Sequence, residues 1–68
     1  MLQITIKSAR VNAGYSQKEA SSILGVSNKT LSSWEQGITV PKADMIDKIC
    51  QLYNVGYDNL IFLPNNPL

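Results

Sequence analysis

Between Asn28 and Gln36, polar side chains occupy one face of a predicted helix. Leu31 and Trp34 lie three residues apart and would point into the domain. The opposite face carries hydroxyl, carboxamide and ammonium groups. An asparagine can pair with N6 and N7 of adenine, and a lysine can donate to O6 or N7 of guanine. A solvated helix face has the same composition, so both interpretations stay open. The candidate base contacts are Asn28, Lys29, Ser32 and Ser33.

The residue types needed for catalysis or for metal binding are scarce. The chain has no histidine and a single cysteine, so it lacks a Cys/His pair, a zinc ligand set and a Ser/His/Asp triad. That cysteine, Cys50, lies among the apolar residues of a predicted helix and is expected to be buried and structural. We therefore expect no enzymatic activity, no metal and no cofactor.

Two capping patterns position the polar segment. Ser16 and Glu19 form a predicted capping box that begins one helix, and Gly25 can take the left-handed conformation that ends it. Ser27 can then cap a further helix, from Asn28 to about Gln36. Because only three or four residues connect these two helices, they must cross at a steep angle, as in a helix-turn-helix.

Further helices are predicted on both sides of this pair. Apolar residues at helical spacing predict a first helix that ends near Gly14; they are Leu2, Ile6, Ala9 and Ala13. After the loop Ile38 to Pro41, a fourth helix would bury Ala43, Ile46, Ile49, Cys50 and Tyr53. Tyr57 to Phe62 suggests a short fifth helix. We expect one domain, residues 1–63, and a short tail, residues 64–68.

The stretch Ser16 to Gly37, with Pro41 and the later IDKICQLYNV segment, resembles the Cro/C1-type (XRE) helix-turn-helix family of phage and bacterial repressors. The resemblance covers about Ile6 to Ile61 and depends on the combined spacing of Arg10, Ser16-Gln17, Gly25-Val26-Ser27, Glu35, Gly37, Pro41, Val55 and Leu60. It implies an all-α compact bundle of about five short helices, a lambda-repressor-like DNA-binding domain.

The resemblance also implies contacts with the DNA backbone. Gln17, at the start of the second helix, would bond a phosphate and brace the recognition helix; a solvated residue in the first turn of that helix is the alternative. Thr39 and Lys42 would add phosphate contacts across the groove. Lys29 suits a phosphate as well as a base.

Arg10 and Glu35 are expected to form a structural ion pair. Glu35 lies near the C-terminal end of the third helix, where the helix dipole is unfavourable to a carboxylate. Arg10 can compensate its charge. The family resemblance implies that this pair is partly buried and joins the first helix to the recognition helix; a solvent-exposed pair is the alternative.

Some residues depart from the family pattern. The second helix has Ala20-Ser21 where the family often has Leu-Ala, so neighbours such as Tyr15 and Ile23 would fill that space. Ile38 stands where a basic residue is common, and Val40 is apolar as well. Phosphate binding by that loop would therefore be weak.

The charge distribution favours a polyanionic partner for one half of the chain. Residues 1–42 hold five basic and two acidic side chains, a net charge of +3, whereas the whole chain has a net charge of +1. Because five basic residues neutralise few phosphates, we expect the chain to bind DNA as a homodimer. The expected dimer patch is Tyr57, Ile61, Phe62 and Leu63. Alternatively, these residues complete the core of the monomer.

Together these features predict a transcriptional regulator, most simply a Cro-like repressor on a palindromic operator. Its partner would be double-stranded DNA, with no membrane and no small-molecule ligand. We expect a cytoplasmic, bacterial or phage-encoded protein that joins the nucleoid when bound. The alternative is a protein-interaction module with the same fold, such as an antirepressor or antitoxin component, and the modest charge and apolar loop favour it.

Overall fold

The computed structural model describes residues 3–62. Its elements in chain order are β1 (Ile4–Thr5), α1 (Ile6–Ala13), α2 (Gln17–Leu24), α3 (Asn28–Gln36), α4 (Ala43–Tyr53), a 3-10 turn (Tyr57–Asn59) and β2 (Leu60–Ile61). Leu2, Leu63 and the predicted tail at 64–68 lie outside the described residues.

A two-stranded parallel sheet joins the two ends of the described chain. Ile4 pairs with Leu60, and Thr5 pairs with Ile61. The prediction of a purely all-α fold with five helices is therefore wrong in detail: four α-helices form within residues 3–62, and Tyr57 to Phe62 contains a 3-10 turn and a strand instead of a fifth helix. Neither strand is stable alone, because two residues can satisfy their backbone groups only by pairing with a distant segment.

The first helix is also shorter than the periodicity suggests. Thr5 ends β1 and caps α1, because its hydroxyl accepts a hydrogen bond from the Ser8 amide at 3.1 Å. Ala13, predicted to face inward, is exposed. The buried residues of α1 are therefore Ile6, Ala9 and Arg10.

Every helix and β2 contribute to one core. Its buried apolar residues are Ile6, Ala9, Ala20, Leu24, Leu31, Ile46, Ile49, Tyr53 and Leu60. Cys50 is only partly buried and packs against this core, and Ala43 is exposed, contrary to the predicted inner face of α4. Within residues 3–62, the structure contains no helix of the length and apolarity needed to cross a membrane.

The α2 helix buries Ser21, whereas Ile23, which the sequence predicts to fill the space beside Ala20-Ser21, lies on the surface. Ile23 was expected to pack inside, but it is 59% exposed, whereas Ser21 is 4% exposed. The Ser21 hydroxyl donates to the Lys18 carbonyl at 3.1 Å, so its polar group is satisfied inside the domain. A small residue at this position lets α2 pack closely, and Ile23 leaves an apolar side chain on the surface.

Tyr53 places a hydroxyl in the core without a hydrogen-bond partner among residues 3–62. Its ring packs against Tyr15, with 6.2 Å between the ring centroids. Burial raises the pKa of Tyr53 to about 12, and the negative charge of Glu35 contributes while Arg10 acts in the opposite direction.

We expect Tyr53→Phe to be as stable as the wild type or more stable, by up to about 1–3 kcal/mol, because it removes an unpaired buried polar group. Since the folded-state pKa lies above the ordinary value, wild-type stability should also fall as the pH rises through about 10 to about 12, and the variant should lack this part of the loss. Urea denaturation at neutral and alkaline pH measures both effects. A marked destabilisation of the variant at neutral pH would show that the hydroxyl is bonded.

Candidate nucleic-acid interface

The corner between α2 and α3 is built from local hydrogen bonds. At the start of α2, the Ser16 hydroxyl accepts from the Glu19 amide at 3.0 Å, and the Ser16 amide donates to Glu19 Oε1 at 2.8 Å. The bonds from the backbone and side chain of Ser16 hold the pKa of Glu19 below its usual value. The predicted capping box is therefore present.

A three-residue connection, 25–27, leads from α2 to α3. Gly25 has φ +77°, a left-handed conformation in which a side chain would be strained, and its amide bonds back to α2. The Ser27 hydroxyl accepts from the Thr30 amide at 3.0 Å and donates to the Thr30 hydroxyl at 2.9 Å. These bonds fix the point at which α3 begins.

The α3 helix separates an inner face from an outer polar face. Leu31 is fully buried, and Trp34 is partly buried against the core. Outside, Asn28, Lys29 and Gln36 are exposed, while Ser32 and Ser33 are partly exposed. The predicted base-contact residues therefore lie together on one accessible surface.

One contact on the outer face was not anticipated from the sequence. Gln36 Nε2 donates to the Ser32 hydroxyl at 2.8 Å. Spacing of four residues on a helix brings two side chains together, and this signal was available in the sequence. The bond fixes the orientation of the Gln36 carboxamide.

Arg10 and Glu35 form a buried ion pair beneath this surface. Arg10 Nε donates to Glu35 Oε2 at 2.7 Å, and Nη2 donates to Oε1 at 3.3 Å. The exposed fractions of the two side chains are 11% and 4%. The bonds to Glu35 raise the pKa of Arg10 above its usual value, although burial acts in the opposite direction. The pair joins α1 to α3.

Two further bonds complete this cluster. Arg10 Nη1 donates to the Tyr15 carbonyl at 2.9 Å, and Gln17 Nε2 donates to Glu35 Oε1 at 3.1 Å. Gln17 thus connects α2 to α3 through the ion pair. No local pattern could reveal this bond, because the two residues are separated by 18 positions in the chain.

The loop after α3 combines polar and apolar exposed residues. Thr39 and Lys42, the other predicted phosphate contacts, are both exposed. Ile38 and Val40 are 51% and 61% exposed. A groove of about 290 Å³ opens beside this loop, and it is lined by Trp34, Val40, Pro41, Lys42, Asp44 and Met45.

The predicted dimer patch is only partly on the surface. Tyr57 is 60% exposed, whereas Ile61 and Phe62 are partly buried and Phe62 packs against the core. Leu63, the last member, lies outside the described residues. Among residues 3–62, no group of three or more potential metal-ligating side chains forms.

Comparison with known proteins identifies the family of this fold. Residues 6–60 match the family model described as helix-turn-helix, and the chain is 43% identical over 56 residues to the HTH-type transcriptional regulator ImmR of Bacillus subtilis (strain 168). The chain belongs to the XRE family of helix-turn-helix proteins.

The chain is similar to two further proteins. It is 36% identical over 61 residues to the antitoxin PezA of Streptococcus pneumoniae serotype 4 (strain ATCC BAA-334 / TIGR4), and 29% identical over 58 residues to the uncharacterized HTH-type transcriptional regulator YgzD of Bacillus subtilis (strain 168). The matches cover 82%, 90% and 85% of this chain, but 44% of ImmR, 39% of PezA and 88% of YgzD. The chain therefore spans less than half the length of the first two relatives.

Proposed function

We propose that this protein binds double-stranded DNA sequence-specifically and acts as a repressor, as a homodimer on a palindromic operator. The observation that carries the proposal is the outer face of α3, where polar side chains are accessible while Leu31 anchors the opposite face in the core. In helix-turn-helix proteins, such a face enters the major groove. The protein would act in the cytoplasm, on the nucleoid, without enzymatic activity.

The proposed DNA contacts fall into two groups, those with the bases and those with the phosphate backbone. Asn28, Lys29 and Ser33 are the proposed direct base contacts, since Asn28 and Lys29 are exposed and Ser33 is partly exposed on the outer face of α3. Ser32 is also expected to contact bases, but its hydroxyl already accepts a hydrogen bond from Gln36. It would therefore contact a base through its hydroxyl hydrogen or its second lone pair.

Phosphate contacts would flank the recognition helix. Gln17 is partly buried and held by Glu35, so a bound phosphate would meet a fixed side chain instead of a mobile one. Thr39 and Lys42 are exposed in the loop beyond α3 and would bind the backbone on the other side of the groove.

A homodimer is proposed because one domain presents few cations. Two copies on DNA would double the phosphates neutralised and place the two recognition helices about 34 Å apart, one helical turn of DNA. Exposed Tyr57 supports a contact at the C-terminal end. Ile61 and Phe62 support this contact less, because both side chains are already partly buried within the domain.

A protein-interaction role is the second candidate function. Exposed Ile38 and Val40 beside the groove at Trp34 offer an apolar surface, and the similarity to the antitoxin PezA is compatible with such a role. Binding through apolar side chains would tolerate salt, whereas DNA binding would weaken steeply as salt rises.

Selection of bound duplexes from a random DNA pool tests the proposed function. We expect the wild type to enrich one palindromic site whose half-sites are one helical turn apart. Lys29→Ala and Ser33→Ala should alter the preferred base at particular positions, by about 1–3 kcal/mol of discrimination for a lost base contact. Recovery of no common site by the wild type would contradict sequence-specific binding and leave the protein-interaction role.

A further inference from the structure

A groove lies between α2 and α4. Its volume is about 310 Å³, and all of its lining residues belong to these two helices; they are Ile23, Leu24, Lys48, Gln51 and Leu52. The aliphatic side chains make it mainly apolar, and Ile23 is 59% exposed. Covering such a surface is favourable, because apolar area leaves water. None of the lining residues is a proposed DNA contact.

Lys48 carries the charge of this groove. It is exposed and takes part in no salt bridge within residues 3–62. The nearby carboxylates are placed elsewhere. Asp44 lines the other groove, beside the loop after α3. The pKa of Cys50 is raised by burial and also by Asp47, so Asp47 acts on that side of α4. Glu19 of α2 bonds to the backbone at the start of its own helix. The groove therefore presents a positive charge beside an apolar floor.

This lysine selects the chemistry of the occupant. A carboxylate beside Lys48 would be attracted, and a second cation would be repelled. A DNA phosphate would also be attracted, but a hydrated polyanion would leave the aliphatic side chains uncovered. The groove beside the loop after α3 contains both Lys42 and Asp44, so it gives no such preference. The occupant that fits the groove between α2 and α4 combines apolar side chains with a carboxylate.

A second copy of this chain fits the groove poorly. Homodimers usually have two-fold symmetry, so a residue near the axis faces its own equivalent. A dimer centred on this groove would bring two Lys48 side chains together, and every other lining residue is uncharged. Like charges at such a contact oppose association. A different protein is therefore the favoured occupant.

We propose that the groove between α2 and α4 docks an acidic amphipathic helix of a partner protein. Its apolar side chains cover Ile23 and Leu52, and its carboxylate pairs with Lys48. A groove between two helices is a known seat for a third, and the apolar anchors of the docked helix then recur at one face. This inference goes beyond the proposed function and does not depend on it, because the docking surface shares no residue with the proposed DNA contacts.

Selection from a displayed library of helical peptides tests this docking. The library fixes leucines at positions i, i+4 and i+7, the anchor spacing of a helix in a groove, and varies the flanking positions among glutamate, lysine, glutamine and alanine. The target is the whole chain, and the double variant Ile23→Ser/Lys48→Glu removes peptides that bind elsewhere. The wild type should enrich flanking glutamates, whereas Lys48→Glu should enrich flanking lysines.

Affinities for the peptide enriched by the wild type separate the apolar from the charged contact. Ile23→Ser should weaken binding about tenfold, because it removes an apolar anchor contact, and Lys48→Glu should weaken it as well. Val11→Ser and Lys7→Glu make the matched changes at exposed positions of α1 and should leave the affinity unchanged. Since all four residues are exposed, the variants should fold, and circular dichroism checks this.

Three outcomes would overturn the docking proposal. The first is enrichment of no peptide over the double variant, and the second is enrichment of the same flanking residues by the wild type and Lys48→Glu. The third is a wild-type dimer in sedimentation that Ile23→Ser converts to a monomer, because a second copy would then occupy the groove. Failure of the wild type to select a DNA duplex would end the proposed function but leave this docking site in place.

Discussion

Arg10→Met is expected to destabilise the domain by about 3–5 kcal/mol, because it leaves a buried carboxylate without its positive partner. The Glu35 side chain is only 4% exposed, so water compensates only in part for the lost guanidinium. Glu35 also lies near the C-terminal end of α3, where the helix dipole opposes its charge. Gln17 would still donate one hydrogen bond, but a neutral amide supplies no net charge.

Urea denaturation of three variants measures this effect. Arg10→Met/Glu35→Leu should regain most of the stability lost in Arg10→Met, since replacement of a whole buried pair by apolar residues is often neutral. Lys18→Met changes the same charge at an exposed position of α2 and should stay within about 0.5 kcal/mol of the wild type. A loss below about 1 kcal/mol for Arg10→Met would instead be typical of a solvent-exposed pair and would contradict this account.

The ion pair matters for function because of what it connects. Arg10 belongs to α1, Glu35 to α3, and Gln17 brings α2 into the same cluster. The α3 helix, which we propose as the recognition helix, is thus fixed to two other helices by charged and polar bonds, in addition to the packing of Leu31. The double variant should therefore recover stability more completely than it recovers DNA affinity.

The central helices could be predicted from the sequence because their boundaries depend on adjacent residues. The Ser16 and Ser27 caps and the left-handed Gly25 act within a single turn, and α2 and α3 begin and end where these signals indicate. The accessible face of α3 followed from the spacing of Leu31 and Trp34 in the same way. Local physical chemistry is sufficient for such features.

The features that the sequence did not predict correctly depend on contacts between residues that are distant in the chain. Pairing of Ile4 with Leu60 converts the predicted fifth helix into a 3-10 turn and a strand, and neither end of the chain reveals this pairing alone. Ser21 and Ile23 both flank the buried positions of α2, so only the packing of its neighbours decides that the serine is inside. The Gln17 bond to Glu35 likewise requires the crossing of two helices.

The second large effect is a loss of DNA affinity, which we expect when a hydrogen-bond acceptor is removed from the major groove. Replacing N7 by C–H in a purine of the selected site leaves base pairing and phosphates intact but deletes an acceptor that Asn28 or Lys29 would use. Each lost base contact should weaken binding by about 1–3 kcal/mol, which is about 5- to 150-fold. Asn28 and Lys29 are exposed at the start of α3, so we expect both side chains to approach the bases from the major groove.

The most direct test of groove recognition by α3 is therefore binding of the selected duplex with single 7-deazapurines, measured for the wild type and Asn28→Ala. At guanine positions the control is inosine, which keeps O6 and N7 in the major groove but removes the minor-groove amino group and its one hydrogen bond to cytosine. We predict that deazapurines at one or two positions per half-site weaken the wild type, that Asn28→Ala loses part of this sensitivity, and that inosine has no effect. Sensitivity to inosine with indifference to every deazapurine would contradict the account.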